Sequence, residues 1–322
     1  MERDPTARLI PLESISSEFP FGIRYKYEDP ILGASLERRG ILFPIFAAKG
    51  KEGPAVVVSG HKRFYWAAKK RFKKIPAVLI EEKFSGKELF LLSLLSNWNQ
   101  AFTELDRMTA VQRAERDFRF SSEELQKEIL PSLGLPPGRR VLEEYLRAGE
   151  LISEIHQLIH AQKLPFRGAA LLARFSKEEQ IRLAQSLLGR THLSSNQLAL
   201  LGGWLLDLKK MHRVPLDELL CDKTIREAVN HPKMDGRARA DRLFEAVRRL
   251  RFPRLSKEEK NFLRLKNQLE SPGQIQIERP GGLEGEGVLL RARLRNRESL
   301  DRVVQFLEEH QASLESLFDS GI

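Results

Sequence analysis

Four short apolar runs in the first 80 residues set what this chain can fold into: Leu9-Ile10-Pro11-Leu12, Ile41-Leu42-Phe43-Pro44-Ile45-Phe46, Ala55-Val56-Val57-Val58 and Ile75-Pro76-Ala77-Val78-Leu79-Ile80. Each is too short for a stable helix, and β-branched residues recur in them, which predicts strands. Between them, Pro30 to Arg39 and Phe64 to Phe72 carry helical patterns. Gly40, directly after Arg38-Arg39, is placed to cap the first. Residues 8–80 therefore predict a mixed α/β domain.

From Thr103 the pattern becomes helical with short breaks. Ser121 with Glu124, Ser176 with Glu179 and Ser194 with Gln197 have the spacing of capping boxes. Leu133 to Pro137 predicts a turn, followed by an apolar stripe of Val141, Leu142, Tyr145 and Leu146. Residues 223–266 predict basic helices broken at Pro232 and Pro253. At the end of the chain, Ile275 and Ile277, and then Val288, Leu290, Ala292 and Leu294, alternate with other residues across a Gly-rich loop from Gly281 to Gly287, which predicts a hairpin. A helix from Ser299 carries Leu300, Val303 and Leu307 on one face. So small a ββα unit buries little apolar surface alone, which predicts self-association. The expected layout is α+β and multidomain: a mixed α/β domain over 1–103, an all-helical domain over 104–222, a basic helical linker over 223–266 and a ββα domain over 267–322.

The charge follows this division. The chain has 54 Lys and Arg against 44 Asp and Glu, a formal net charge of +10. Segment by segment, it is +6 over 1–103, zero over 104–222, +8 over 223–266 and −4 over 267–322. Lys62 to Lys74 alone holds seven basic residues and no acid. The positive charge thus forms two islands, and both favour anionic partners. One cysteine, Cys221, excludes an intrachain disulfide or a thiolate zinc cluster and points to a reducing compartment. No apolar run has the length of a membrane span, and Met1 to Asp4 leads into no secretory signal, so a cytoplasmic protein is expected.

The sharpest local signal is Val56-Val57-Val58-Ser59-Gly60-His61-Lys62-Arg63-Phe64, a strand entering a glycine and then the basic start of a helix. Glycine permits close backbone approach, the helix start offers unpaired N–H groups, and Lys62 and Arg63 add charged donors. A bound phosphate would relieve the conflict between basic residues and the positive end of the helix dipole. The plainer alternative is a solvated turn with surface cations.

Gly33 to Ile45, Val57 to Lys69 and Ile75 to Val78, taken in order and spacing, resemble the N-terminal ParB/sulfiredoxin-like domain of the ParB chromosome and plasmid partition family. Leu105 to Gln197 is similar to that family's helix-turn-helix domain, including Ala148-Gly149-Glu150-Leu151-Ile152 and Leu164 to Leu172. The closing unit is similar to its C-terminal dimerisation domain. The resemblance implies CTP binding with Mg2+, a clamp that closes around DNA, a homodimer formed through the C-terminal domain, a partition ATPase as partner, and a nucleoid-associated location. Carried onto this sequence, the nucleotide-binding positions are Ser35, Gly40, Pro44, Gly60, His61, Lys62, Arg63 and Asn97. Here His61 and Lys62 stand where Glu and Arg are usual. The family's Glu-Asn-x-x-Arg box falls on Ser96-Asn97-Trp98-Asn99-Gln100, where Asn97 alone is kept, as the remaining metal-facing residue. Loss of the carboxylate and the Arg weakens the case for a CTPase, because magnesium prefers anionic oxygen and Arg supplies a fixed positive fork. Glu104 and Asp106 are the next carboxylates able to replace the lost one.

For DNA, the second helix of the helix-turn-helix begins at Pro137-Gly138-Arg139-Arg140, which makes Arg139 and Arg140 candidates to read guanine or grip phosphate; the plainer alternative is surface charges on a packing helix. Arg167 matches a position where the family contacts its site. Arg242, Arg248, Arg249 and Arg251, within the basic stripe of 223–266, are the candidates for sequence-independent binding. Two alternatives stay open: a ParB-like scaffold or transcription regulator without nucleotide hydrolysis, and a ParB/sulfiredoxin-fold kinase. A sulfiredoxin-type reductase is excluded because Cys221 lies far from the Gly60 turn. His156, His160 and His192 have no metal-spaced partners, and Trp98 and Trp204 are expected in cores.

Overall fold

The computed structural model describes residues 6–49, 53–80, 84–97, 101–268, 275–278, 289–312 and 314–315. The chain divides into two units, Met1–Gly202 with Asp235–Arg237, and Gly203–Met234 with Ala238–Ile322.

The first unit opens with a four-stranded mixed sheet. Its strands are β1 (Arg8–Pro11), β2 (Ile45–Ala48), β3 (Val56–Ser59) and β4 (Lys74–Ile80), in the order β1-β4-β2-β3. β4 pairs antiparallel with β1 and parallel with β2, and β2 pairs antiparallel with β3. Ile45, Ala47, Val57, Ile75 and Ala77 form the buried core, with Phe64 and Ala67 packed on them. α1 (Pro30–Arg39) starts where Asp29 accepts from Leu32 N, with proline at the first helical position, and ends at Gly40, at φ 70°. Its basic last turn, Arg38-Arg39, complements the helix dipole. α2 (His61–Lys69) lies against α1, where Gly33 lets the Trp66 ring approach so closely that a Cβ would sit 2.9 Å from it.

The second predicted strand begins four residues later than the apolar run suggests. Residues 41–44 form a loop, because Pro44 has no N–H for a ladder and Arg63 takes the carbonyls of Phe43 and Pro44. The second helix is also displaced, starting at His61 rather than Phe64. Gly60, at φ 91°, reverses the chain directly from strand to helix.

α3 (Gly86–Leu95) and α4 (Glu104–Arg116) follow, each opened by a reciprocal capping box, at Ser85 and Thr103. Arg24 and Asp106 form a buried ion pair at 3.0 Å, 8% exposed on both sides. Asp106 also accepts from the Tyr25 and Thr103 backbone N–H groups. Arg113 donates to the carbonyls of Phe19 and Gly22 at 2.7 and 2.6 Å. Residues 19–25 are thus fastened to α4.

The predicted capping box at Ser121 and Glu124 is present, and it opens α5 (Ser122–Glu124). A π-turn over Leu125–Ile129 and α6 (Leu130–Ser132) continue the segment. The predicted turn follows, with Gly134 at φ 70°. α7 (Arg139–Ala148) buries Leu142, Tyr145 and Ala148. Tyr145 donates its hydroxyl to Glu104, joining α7 to α4. α8 (Ser153–His160), a 3-10 turn over Ala169–Arg174, α9 (Lys177–Ser186) and α10 (Ser195–His212) complete the run. The boxes at Ser176 and Ser194 are both formed. Gly168, at φ 88°, brings its backbone so near Ser195 that a Cβ would lie 2.7 Å from that carbonyl.

In the second unit, α11 (Leu216–Leu220), α12 (Lys223–Asn230), α13 (Gly236–Arg251) and α14 (Pro253–Gln268) are helical, with breaks at Pro232 and Pro253 as predicted. Trp204 is half-buried against Phe244 and Phe252. β5 (Ile275–Glu278) and β6 (Leu289–Ala292) form the predicted antiparallel pair, with Ile277 opposite Leu290. The Gly281 to Gly287 loop, Val288, Trp98 and Gln100 lie outside the described residues. α15 (Arg297–Glu309) follows the expected stripe only in part. Val303 packs against the cluster of Phe306, Phe262, Ile275 and Ile277, while Leu300 and Leu307 stay 46% and 37% exposed. The aromatic ring, with the most apolar area to bury, sets the helix rotation.

Candidate functional site

The turn from β3 into α2 brings three of the sequence-selected residues together. Gly60 occupies the left-handed region, and a Cβ there would lie 2.8 Å from Ile45 Cγ2 and 3.0 Å from the Arg63 guanidinium. No side chain caps α2 and its first turn holds no acid, the kind of helix start that favours an anion. Lys62 reaches back to Asp29 Oδ2 at 2.9 Å, which helps hold the Asp29 carboxyl below its ordinary range. Arg63 donates to Phe43 O and Pro44 O at 2.7 and 2.5 Å, binding the turn to the loop before β2. Burial lowers the Arg63 pKa.

His61 contributes differently. Its ring is buried, edge-on to Phe19 at 5.1 Å and tilted against Tyr27 at 5.7 Å. Desolvation pushes its pKa down to about 4, opposed by a hydrogen bond with the Val57 backbone, and Nε2 has no hydrogen-bond partner. A neutral ring in an aromatic cluster cannot act as a surface cation.

The remaining nucleotide candidates are spread more widely. Ser35 is exposed on α1, Gly40 caps that helix with open space where a Cβ would stand, and Pro44 is held by Arg63. Asn97, just past α3, donates to Ser93 O at 2.8 Å. Ser96, at the position of the missing carboxylate, shares a hydrogen bond with Ser59 Oγ at 2.7 Å. Neither carboxylate one turn on is free to serve there. Asp106 is consumed by Arg24 and two backbone N–H groups, and Glu104 by Tyr145 and Arg107. Among the described residues no group of three or more His, Cys, Asp or Glu could hold a metal. Among the described residues the donor set does not fit a resident magnesium ion.

The DNA candidates also differ among themselves. Arg139 is exposed at the start of α7 and paired with Glu143 at 2.8 Å; Arg140 and Arg167 are exposed. In the basic segment, Arg248 makes a two-pronged pair with Glu259 at 2.6 and 2.8 Å, which raises its pKa and ties α13 to α14. Arg251 pairs with Asp207 at 3.0 Å and lies over the Phe252 ring. Arg242 and Arg249 are exposed. A further basic group escaped the sequence reading. Arg291, Arg293, Arg295 and Arg302 line one cavity of about 730 Å³ beside the start of α15. The −4 balance of residues 267–322 hid it, although the alternation of Arg291, Arg293 and Arg295 on one strand and its extension was a readable signal.

His156 is buried and its Nε2 lies 2.9 Å from Ala148 O, while His160 and His192 are exposed.

Together these features define a mixed α/β protein with a left-handed glycine turn between β3 and α2 and long helical segments after it. No family model matches the chain. A probable chromosome-partitioning protein ParB of Vibrio cholerae is 21% identical over 157 residues, 48% of this chain and 51% of the relative, so the chain spans about half the length of the curated relative it matches. The ParB-type resemblance read from the sequence is borne out by that match. Two solved structures of C-terminally truncated ParB from Caulobacter crescentus are also similar. The complex with the centromeric parS site has 17% identity and a TM-score of 0.37, and covers 61% of this chain and 98% of that one. The complex with CTP-gamma-S has 19% identity and a TM-score of 0.27, and covers 56% and 97%.

Proposed function

We propose that this chain is a ParB-like DNA-binding protein of chromosome or plasmid partition, a dimeric clamp whose closure a nucleotide triphosphate such as CTP controls. The observation that carries the reading is the uncapped start of α2 behind the left-handed Gly60, with Lys62 and Arg63 beside it. When bound, the nucleotide supplies the negative charge that this turn lacks. The chain's own part is to receive phosphate oxygens on the first N–H groups of α2 and to exchange Arg63's carbonyl partners for the anion, releasing the Phe43–Pro44 loop. Magnesium would arrive with the triphosphate. Arg139, Arg140 and Arg167 in the first unit, and Arg242 and Arg249 in the second, are exposed and supply DNA contacts. The apolar residues left open on β6 and α15, Leu290, Leu300, Val304 and Leu307, supply the homodimer contact.

The second reading is a ParB-like scaffold or transcription regulator that keeps the fold without the nucleotide switch. It is favoured by Arg63 being spent on backbone carbonyls and by Ser96 standing in a hydroxyl pair where a carboxylate is expected. Calorimetric titration of CTP, ATP and GTP with magnesium separates the two. The clamp reading requires binding by the natural chain that Arg63→Ala abolishes; no binding by the natural chain leaves the scaffold.

A further inference from the structure

A cavity of about 530 Å³ in the second unit shares only Arg242 with the roles assigned so far. Lys223, Arg226, Glu227 and Asn230 line it from one face of α12, at i, i+3, i+4 and i+7, while Ile225, Ala228 and Val229 bury the opposite face. His231 closes one side and Arg242 enters from α13. Three cationic groups thus meet a single carboxylate. That carboxylate, Glu227, touches Lys223 only at 3.9 Å on exposed side chains, a contact of small energetic weight. Among the described residues Arg226 and Arg242 have no carboxylate within 4.0 Å. His231 Nδ1 is buried without a hydrogen-bond partner. The helix end does not create the site, since Asp222 already accepts from Thr224 N and Ile225 N.

The lining is rich in donors and short of acceptors. Two guanidinium forks and an ammonium on separate elements suit a dianion with several oxygens. The volume exceeds what one inorganic ion fills and lies in the range of small-molecule sites. We propose that this cavity binds a phosphate group carried on a larger molecule, held by Arg226, Arg242 and Lys223. The group can belong to a phosphorylated small molecule or to a nucleic-acid backbone. The site uses no residue of the Gly60 turn, so either can fail without the other.

Cys221, the chain's single cysteine, is exposed and lines the same cavity, which makes it a local reporter. Its maleimide labelling rate is measured on the full chain with glycerol phosphate, and separately with a short DNA duplex of arbitrary sequence. Slower labelling with glycerol phosphate is expected, with the half-protecting concentration raised at least about tenfold by Arg226→Gln with Arg242→Gln and lowered by Glu227→Gln. Opposite shifts in the two variants cannot arise from misfolding. Protection by the duplex alone, lost in the same double variant, assigns the phosphate to a nucleic-acid backbone. Absence of protection by both probes, or protection that survives the double variant, overturns the proposal.

Discussion

Ser96 and Ser59 share a hydrogen bond at 2.7 Å that joins the residue after α3 to the last residue of β3, one position before Gly60. The bond fixes the end of α3 against the Gly60 turn with two neutral hydroxyls. Ser59 is buried, so its hydroxyl depends on this partner. Ser96→Ala should lower stability by about 1 kcal/mol, the ordinary worth of such a bond. Urea unfolding of the two proteins side by side measures it, and an unchanged midpoint would show that Ser59 does not depend on Ser96.

His61 makes stability depend on pH. Its folded pKa of about 4 lies below the unfolded value of 6.5, so the unfolded chain binds the extra proton first. The contribution is fully present above pH 6.5 and is lost as pH falls toward 4, by up to about 1.4 kcal/mol per pH unit. In His61→Leu the acid limb of a urea-midpoint profile should be flatter across that window. A profile parallel to the natural protein's would remove His61 as the cause.

Arg248 and Arg249 are neighbours in sequence with different tasks. Arg248 is engaged by Glu259, and Arg249 is exposed. Arg249→Ala should reduce the slope of log affinity for arbitrary DNA against log salt by about 1. Arg248→Ala should lower the melting temperature and change that slope less. Equal slopes for both variants would mean that the Glu259 pair opens on DNA.

The face of α15 offers a test of self-association. Leu300→Glu with Leu307→Glu places charge on the two exposed leucines without touching the Phe306 cluster. Sedimentation should report monomers with an unchanged circular dichroism spectrum. A dimer that survives the change would locate the contact elsewhere.

Much of this architecture was readable from residue order. The capping boxes at Ser121, Ser176 and Ser194 and the break at Pro253 are local chemistry, decided within four residues, and each formed. What could not be read depended on partners distant in sequence. Arg63, chosen for an anion, grips carbonyls about twenty residues earlier. His61 looks like a surface base because its neighbours are basic, but Phe19 and Tyr27, from another segment, surround it. Asp106 looked available until Arg24 was placed beside it. On α15 the spacing was correct as a helix pattern and right about Val303, but Leu300 and Leu307 stay exposed because Phe306 takes the inner face. Charge totals hid the arginines around Arg293 in an acidic segment.

The fastening of residues 19–25 by α4 decides where this chain can be cut. A fragment ending at residue 103 would take Arg113 from the carbonyls of Phe19 and Gly22 and Asp106 from the Arg24 guanidinium and the Tyr25 N–H, while Arg24 would keep Ala101 O. Phe19 is also the ring that His61 packs against, so the loss would travel to the start of α2. A piece meant to keep the Gly60 turn in shape has to include α4 and Phe118, which stacks on Phe21 and Phe90, and the sheet and α4 are expected to melt as one.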